Sequence, residues 1–408
     1  MRITRVIGVL EPGGAQLSAL RLARAQGPLG VQTRLLGGDA TTSGVALARH
    51  HGFEPDVYAM HDVIHGAPRQ WTPDSGFAEW LAPRLVDGDL VHAHMFGAWW
   101  AATQAAPADM PVVASEHNAM SWPLGHHGGA ALAASARLDA VFAHGPEVRR
   151  FALSLALPAD RVLEGRSAVS IHARPRPQLE TPRVTFTGRL RADKGPDLLL
   201  HALAAMTDPP ATYLVGDGPM SPGLRRSVEV LGLSRTVRMP GWSHEPARYV
   251  AGAGVHVVPS REEAWSQSAV TALGLGVPVI ATAVDGLPTT LAHGRGLLVP
   301  PEDPTALAAA ISGVLAGDIR IDPGPGKHYA AGFDAARIGA DYFAVYQALR
   351  RARCDPSMCN QQSSTDTTET RPRSPSTATN GARREPSKGG RAQPTTVGTP
   401  MEWANSMR

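Results

Sequence analysis

Cysteine is almost absent from the sequence, and its scarcity excludes two kinds of site. The two cysteines, Cys354 and Cys359, lie close to the carboxyl terminus with four residues between them. This spacing matches no zinc motif, and no cysteine lies upstream to complete one. We therefore expect neither a disulfide framework nor a metal centre, and we assign no metal-ligating residue.

Long apolar segments are also absent. No run approaches the ~20 consecutive apolar residues of a membrane-spanning helix. The first residues, MRITRVIGVLEPGG, lack the apolar stretch and the cleavage site of a signal peptide. We therefore expect a cytoplasmic protein without a transmembrane segment. Only the mildly amphipathic segment EVRRFALSLAL, residues 147–157, leaves room for weak peripheral contact with a membrane.

Most of the chain has no excess of either charge. The formal net charge is +3, and residues 352–408 supply all of it, with eight basic and five acidic residues. Residues 1–351 contain 31 residues of each sign. Because nucleic-acid binding needs a basic surface, this balance argues against a nucleic-acid partner.

Short apolar segments rich in branched residues alternate with helical patterns along the chain. The candidate strands are RITRVIGV, VQTRLL, DLVHAHM, PVVASE and LDAVFAH, followed by RVTFTG, ATYLVG, TVRMPG, GVHVVPS, VPVIAT and RGLLVP. Such alternation is typical of parallel sheets covered by helices. Eleven strands would overfill one sheet, and residues 164–182 are rich in proline and arginine without periodicity. The sequence therefore predicts an α/β protein with two Rossmann-like domains.

The predicted boundaries divide the chain into five parts. These are a first domain over 1–165, a linker over 166–181, a second domain over 182–328, a helix over 329–351 and a tail over 352–408. The fourth part has apolar residues at helical spacing. The tail is dominated by Ser, Thr, Pro and Arg and cannot bury a core, so we expect it to be disordered.

Arg189 and Lys194 lie in a short loop of the segment VTFTGRLRADKGPDLLLHAL, between a predicted strand and a predicted helix. Lysine occurs only at positions 194, 327 and 388, so its use in this loop is specific. The amino terminus of a helix adds oriented N–H groups and partial positive charge. Arginine offers a fork for two phosphate oxygens, and lysine offers a compact charge. The loop therefore predicts a diphosphate-binding site, the alternative being that both cations only face solvent.

Two further turns follow predicted strands of the second domain. Gly216 and Gly218 in LVGDGP allow the backbone to approach a ligand closely. The segment VVPSREEAWSQSAVTALGLGVPVIAT places Glu262 and Glu263 in a loop before a helix of small residues. Because parallel sheets bind ligands at the carboxyl ends of their strands, these turns point to the same edge as Arg189.

The order of these motifs resembles that of a known enzyme family. Gly-Arg-x4-Lys-Gly, Gly-Asp-Gly-Pro, Pro-Ser-x2-Glu and Gly-x-Pro-Val occur here in the order of the retaining glycosyltransferases of family 4, which have the GT-B fold. EPGGAQ, residues 11–16, is similar to the family's glycine-rich loop near the donor phosphates and the acceptor. DLVHAHMFG and PVVASEHN are similar to its next two landmarks, and residues 329–350 to its crossover helix. The resemblance covers nearly all of residues 1–350 and implies two facing Rossmann-like domains.

The resemblance also implies roles for individual residues. The donor diphosphate would be held by Arg189, Lys194, Gly13 and Gly14, the donor sugar or ribose by Glu263, Ser266, Ser268, Thr271, Gly216 and Asp217, and the acceptor side would contain Gln16, His94 and Trp122. His117 and Glu263 are the residues nearest to a catalytic role. Thr271 departs from the family, because it stands where the second glutamate of a Glu-x7-Glu motif binds the ribose. Gln16 stands where a glutamate is common.

These roles imply a retaining, metal-independent glycosyltransferase. We expect it to move a sugar from a nucleoside-diphosphate sugar, UDP-linked in the first instance, to a hydroxyl of a small molecule or glycan in a bacterial biosynthetic pathway. The nucleotide sugar is a substrate, so no cofactor is expected, and no catalytic base is assigned. Two alternatives stay open: a non-catalytic GT-B partner protein that binds a nucleotide sugar, and a nucleotide-sugar epimerase. The oligomeric state is either a monomer or a homodimer.

Overall fold

The computed structural model of the protein describes residues 1–62, 72–117, 127–176, 179, 183–263 and 265–354. In this part of the chain the strands form one sheet of seven and one of six strands. Every strand pair is parallel. The predicted α/β class is therefore confirmed. None of the helices in these residues combines the length and the apolar character needed to cross a membrane.

The first sheet contains two strands that the sequence pattern does not predict. Its strands are β1 (Arg2–Leu10), β2 (Gln32–Thr41), β3 (Asp56–His61), β4 (Leu90–His94), β5 (Val112–Glu116), β6 (Ala140–Ala143) and β7 (Val162–Glu164). They lie in the order β3-β2-β1-β4-β5-β6-β7. The unpredicted strands, β3 and β7, form the two edges. β3 is mostly exposed and β7 has only three residues, so neither has the continuous apolar run that identifies a strand buried on both faces.

Helices cover both faces of this sheet. They are α1 (Gly14–Gln26), α2 (Thr42–His50), α3 (Ser75–Leu85), α4 (Phe96–Ala105), α5 (Gly128–Ser135) and α6 (Pro146–Ser154). Neighbouring side chains of a strand point to opposite faces. Val6 of β1 accordingly packs in a cluster with Phe77 of α3, whereas Ile7 packs with Leu20 of α1 and Leu47 of α2.

The second sheet contains all six strands that the sequence predicts for it. They are β8 (Val184–Thr187), β9 (Thr212–Val215), β10 (Val237–Gly241), β11 (Val255–Val258), β12 (Val279–Thr282) and β13 (Leu297–Val299), in the order β10-β9-β8-β11-β12-β13. The helices beside them are α7 (Pro196–Ala204), α8 (Ser221–Val230), α9 (Ala247–Val250), α10 (Gln267–Gly274), α11 (Leu287–Leu291) and α12 (Pro304–Ala316). Val184 and Leu199 lie in the apolar core that joins α7 to the sheet.

The helical pattern predicted over 329–351 is divided between two helices, α13 (Pro323–Ala331) and α14 (Ala335–Cys354). The break between them pairs with the linker, because the Val169 N–H donates to the Phe333 carbonyl at 3.0 Å. Asp334 then caps α14 by accepting from the Ala336 N–H at 2.9 Å. Residues of α14 such as Tyr342 pack with β1, β4 and β5 of the first sheet. Residues 355–408, which hold most of the predicted tail, lie outside the described residues.

Candidate active site

The strand order of each sheet reverses beside its first strand, between β1 and β4 in the first sheet and between β8 and β11 in the second. Open parallel sheets bind ligands at such switch points, beyond the carboxyl ends of the strands. Arg189 and Lys194 follow β8, and Glu263 follows β11. The fold therefore brings three of the predicted donor-site residues to the switch point of the second sheet.

Gly195 allows the loop that carries Lys194 to lie against the end of β11. Its backbone has φ +59, in the left-handed region that favours glycine. A Cβ atom at this position would collide with the Pro259 carbonyl oxygen, which is backbone and cannot move aside. Glycine is thus required after Lys194 for steric reasons. Its small size allows Lys194 to lie close to the loop that carries Glu263.

Lys194 and Glu263 form an ion pair within this site. Lys194 Nζ lies 3.1 Å from Glu263 Oε2, and the two side chains are 26% and 13% exposed. Glu263 is held from the other side, because its N–H donates to Asp285 Oδ2 at 2.7 Å. Burial raises the pKa of the Glu263 carboxyl, and the charge of Lys194 only partly offsets this effect. The pair thus places a compact cation and a carboxylate of raised pKa side by side.

Arg189 forms the corresponding ion pair with the glycine-rich loop after β1. Its Nη2 lies 3.1 Å from Glu11 Oε1. The guanidinium lies so close to Gly13 that a Cβ atom there would collide with it. Glu11 was not among the predicted site residues, although it is the first residue of the EPGGAQ motif. The predicted residues Gly13 and Arg189 are therefore brought together across the two halves of the chain.

Gly14 contacts the second half through Gln267, the first residue of α10. Gln267 Nε2 donates to the Gly14 carbonyl at 2.6 Å, and a Cβ atom at Gly14 would lie 3.2 Å from the same nitrogen. Gln267 also accepts a long hydrogen bond of 3.5 Å from Arg21 of α1. The segment Ser266–Ser268 predicts two hydroxyls and the amide of Gln267 at the start of this helix, but the contacts of Gln267 with Gly14 and Arg21 could not be predicted, because these partners lie far away in the sequence.

Gln16 lies beneath the glycine-rich loop. Its side chain is 4% exposed, and its Nε2 donates to the Val9 carbonyl at 2.7 Å. The same nitrogen lies 3.9 Å from the sulfur of Met95, which follows β4. Gln16 therefore joins the first turn of α1 to the end of β1 and to Met95 after β4, at the carboxyl-end rim of the first sheet.

Gly216 and Asp217 shape the turn after β9. Gly216 has φ +151, and a Cβ atom there would collide with the Gly188 carbonyl oxygen. Asp217 Oδ1 accepts from the Gly218 N–H at 2.8 Å and also from the Ser221 hydroxyl. Asp217 lies beside the loop that carries Arg189, because the Leu190 N–H donates to the Asp217 carbonyl oxygen at 2.9 Å. Its side chain is exposed.

The start of α10 contains the predicted hydroxyl groups. Ser266 caps the helix by accepting from the Ala269 N–H at 3.3 Å, and its Oγ lies 3.2 Å from that of Ser268. This arrangement leaves the amino terminus of α10 beside Gly14, where its N–H groups favour a negative charge. Thr271, one turn further on, is only 7% exposed.

His94 ends β4 and His117 follows β5, on the same rim of the first sheet as the glycine-rich loop. Their ring centroids are 6.3 Å apart. Burial lowers the pKa of His117 to about 4 and that of His94 well below its usual value, so both imidazoles are neutral at pH 7. Trp122, the remaining predicted acceptor-side residue, lies outside the described residues.

Two family models match the chain over most of this fold. One is described as Glycosyltransferase Family 4 and matches residues 12–163, and the other is described as Glycosyl transferases group 1 and matches residues 181–317. A D-inositol 3-phosphate glycosyltransferase of Streptomyces bingchenggensis is 30% identical over 345 residues, which cover 76% of this chain and 69% of that protein. One of Xylanimonas cellulosilytica is 29% identical, covering 75% of this chain and 74% of that protein.

Solved structures give the same fold. Anabaena HepE in complex with UDP and glucose has a TM-score of 0.66 at 20% identity, over 85% of this chain and 99% of that chain. The protein is thus a GT-B glycosyltransferase, with two parallel-sheet halves that meet at their switch points. Its chain belongs to glycosyltransferase family 4, the group 1 glycosyl transferases.

Proposed function

We propose that the protein is a retaining, metal-independent glycosyltransferase that uses a UDP-sugar. The observation that carries this proposal is the convergence of Arg189 and Lys194 at the switch point of the second sheet, each paired with a carboxylate 3.1 Å away. A diphosphate offers the same oxygen ligands as these carboxylates with more charge. The UDP in the HepE complex supports uridine as the nucleoside to test first.

The chemistry of sugar transfer needs positive charge where the leaving group departs. As the bond from the anomeric carbon to the phosphate oxygen breaks, negative charge grows on the diphosphate and positive character grows on the sugar. Arg189, Lys194 and the amino terminus of α10 are fixed in place to stabilise the growing negative charge. These groups can supply the main electrostatic stabilisation without a bound metal ion.

Diphosphate binding would also release the two carboxylates. Glu263, freed from Lys194, could accept hydrogen bonds from hydroxyls of the donor sugar, and His117 would hold the same sugar from the first half of the chain. In a retaining reaction the acceptor oxygen bonds to the anomeric carbon on the face that the leaving group vacates. The leaving phosphate oxygen takes the acceptor proton, so no protein base is required.

The names of the relatives suggest the acceptor to test first. Several similar proteins are D-inositol 3-phosphate glycosyltransferases, although the aligned share of those proteins ranges from 35% to 74%. We therefore propose a small polyol phosphate such as D-inositol 3-phosphate as the first acceptor, and glycan hydroxyls as the second. Transfer would take place in the cytoplasm, where nucleotide sugars are made.

A thermal-shift screen against UDP, GDP, ADP and TDP tests the donor assignment, because a ligand that binds only the native state raises its melting temperature. UDP is expected to give the largest shift.

Proton NMR of the product from a UDP-α-sugar tests the stereochemistry, with an α-linked product expected. Excess EDTA should leave the rate unchanged. A β-linked product would contradict retention, and a preference for another nucleotide would contradict the donor assignment.

A further inference from the structure

Four histidines form a row that begins with His92 within β4 and continues along the carboxyl ends of β4, β5 and β6. The centroids of His92 and His94 are 4.1 Å apart, and those of His94 and His117 are 6.3 Å apart. The last pair is the tightest: the rings of His117 and His144 are 3.8 Å apart and tilted by 31°. His144 follows β6 and has no place in the chemistry described above.

His144 is held by the linker and by α14. Its Nδ1 lies 3.2 Å from the hydroxyl oxygen of Ser167, and its Nε2 lies 3.5 Å from the hydroxyl oxygen of Tyr342. Tyr342 is itself fixed, because its hydroxyl accepts from the Arg166 N–H at 3.1 Å and its ring stacks on Phe142 at 3.6 Å. Both ring nitrogens of His144 thus have partners, and these partners, Ser167 and Tyr342, are buried.

Gly165 provides the space that the His144 ring occupies. A Cβ atom at Gly165 would lie 2.5 Å from His144 Cδ2 and 2.9 Å from the Ala143 backbone carbon. The backbone on this side is fixed, since the Gly165 N–H donates to the Ala143 carbonyl at 2.8 Å. The imidazole of His144 is therefore confined to one orientation.

His117 is less firmly held. Its backbone N–H donates to Glu116 Oε1 at 3.0 Å, but its ring nitrogen Nε2 is buried and has no hydrogen-bond partner among the residues that the structure describes. A buried polar atom without a partner is costly unless a ligand supplies one. The close ring contact with His144 is consequently an important restraint on the direction of the His117 imidazole.

We propose that His144 is a positioning residue, which fixes the His117 ring so that its free nitrogen meets a hydroxyl of the donor sugar. This inference rests on the proposed function, in which His117 contacts that sugar. His144 itself touches no reacting atom. Its contacts with Ser167 of the linker and Tyr342 of α14 hold its ring in place, and its ring in turn holds that of His117. The effect of His144 on sugar transfer therefore depends on His117.

A double-mutant cycle tests this dependence. We expect His117→Ala to lower kcat for sugar transfer by about 100-fold and His144→Ala by about tenfold, because small errors in the position of a contacting group are costly. If His144 acts through His117, the double variant should have the rate of His117→Ala alone. A further tenfold loss in the double variant would show an independent role and overturn the proposal.

Conservative variants separate positioning from folding. His144→Phe keeps an aromatic ring against His117 but loses both hydrogen bonds of His144, so it should lower kcat a few-fold, less than His144→Ala does. Tyr342→Phe removes only the partner of His144 Nε2 and should lower kcat by no more than His144→Phe does. Tyr346→Phe is the matched control, because Tyr346 also lies on α14 but bonds His92 Nδ1 at 2.7 Å instead. It should leave kcat unchanged. Equal losses in Tyr342→Phe and Tyr346→Phe would indicate general loosening of α14 and contradict the inference.

Binding of UDP distinguishes failure of this inference from failure of the proposed function. UDP lacks the sugar, so its Kd should be the same in the wild-type protein and in all these variants. If wild-type protein does not bind UDP, the proposed function is contradicted, and this inference with it. If UDP binds normally while the losses of the two alanine variants multiply, only the role of His144 is contradicted.

Discussion

Lys194 and Glu263 are the residues on which the proposed donor site depends most directly. Their ion pair is half-buried, at 3.1 Å. Removing the lysine leaves a carboxyl whose pKa is already raised by burial. Such a group can take up a proton instead of remaining as an unpaired buried charge. The loss of Lys194 should therefore affect catalysis far more than folding.

Replacing Lys194 by Ala is expected to lower kcat/KM for sugar transfer by about 10²–10³, since one preorganised electrostatic donor is typically worth that much. Steady-state kinetics with a UDP-sugar and a melting curve measure the two effects. Lys327→Ala is the matched control, because Lys327 is exposed on α13. A melting temperature far below that of the control, with activity lost in proportion, would indicate that Lys194 is structural.

Position 271 tests how the ribose is bound. Thr271→Glu is expected to lower the Kd of UDP about tenfold, since a hydrogen bond to a charged group contributes about 1.5–3 kcal/mol. Titration calorimetry measures it, with Thr271→Gln as the uncharged control of nearly equal size. Because Thr271 is 7% exposed, the melting temperature without ligand should fall. Unchanged affinity for UDP in Thr271→Glu would mean that the ribose is bound by other residues.

The loop between β1 and α1 lies against the loop between β8 and α7, and this contact is the main element-level feature of the site. Glu11 and Arg189 join the two loops, and Gln267 of α10 joins Gly14 to the second half. The glycines at 13 and 14 permit the close approach, since side chains there would collide with Arg189 or press on Gln267. In this conformation the Glu11 carboxylate occupies the place beside Arg189 that is proposed for a donor phosphate.

Glu11→Gln should therefore strengthen UDP binding, by about three- to tenfold, because the phosphate no longer displaces a charged partner from Arg189. Titration calorimetry with UDP gives the change. Glu54→Gln provides the control, since Glu54 forms an exposed ion pair with Arg49 at 2.6 Å. Weaker UDP binding in Glu11→Gln would show that Glu11 supports the bound state and does not compete with the diphosphate.

The elements that the sequence predicts correctly are those with a continuous local pattern. The central strands β8, β9, β11 and β12 are buried runs bounded by turn residues, whereas β3 is mostly exposed and β7 has only three residues. At the site, the motifs predict Arg189 and Lys194 at the switch point of the second sheet. The roles of Glu11 and His144 could not be predicted, because their contacts depend on how distant parts of the chain pack together. Glu11, for example, lies 178 residues from its partner Arg189 in the sequence.

Buried neutral histidines make the stability of the whole molecule depend on pH. Burial lowers the pKa of His117 to about 4 and that of His256 to about 3, from the usual 6.5. Above pH 6.5 these groups are neutral in both the folded and the unfolded state. Below it the unfolded chain takes up protons that the folded chain refuses, so stability falls as the pH falls.

The free energy of unfolding should therefore be nearly constant above pH 7 and should decrease between pH 6.5 and about 4, by about 1.4 kcal/mol per pH unit for each such histidine. Urea unfolding at a series of pH values measures it. His256→Gln should reduce the change in the free energy of unfolding by about 1.4 kcal/mol per pH unit, the contribution of one proton. Equal stability at pH 7 and pH 5 would contradict the account.

In the whole molecule, two parallel-sheet halves meet at their switch points, and the partly exposed side chains of Arg189 and Lys194 lie there. Arg189 and Lys194 are proposed to bind the second phosphate of a donor. The most direct measurement is titration calorimetry of UDP and UMP with the wild-type protein and with the Arg189→Ala, Lys194→Ala double variant. Wild-type protein should bind UDP at least about tenfold more tightly than UMP, and the double variant should bind them almost equally. An unchanged ratio in the variant, or no heat from UDP with the wild-type protein, would contradict the account.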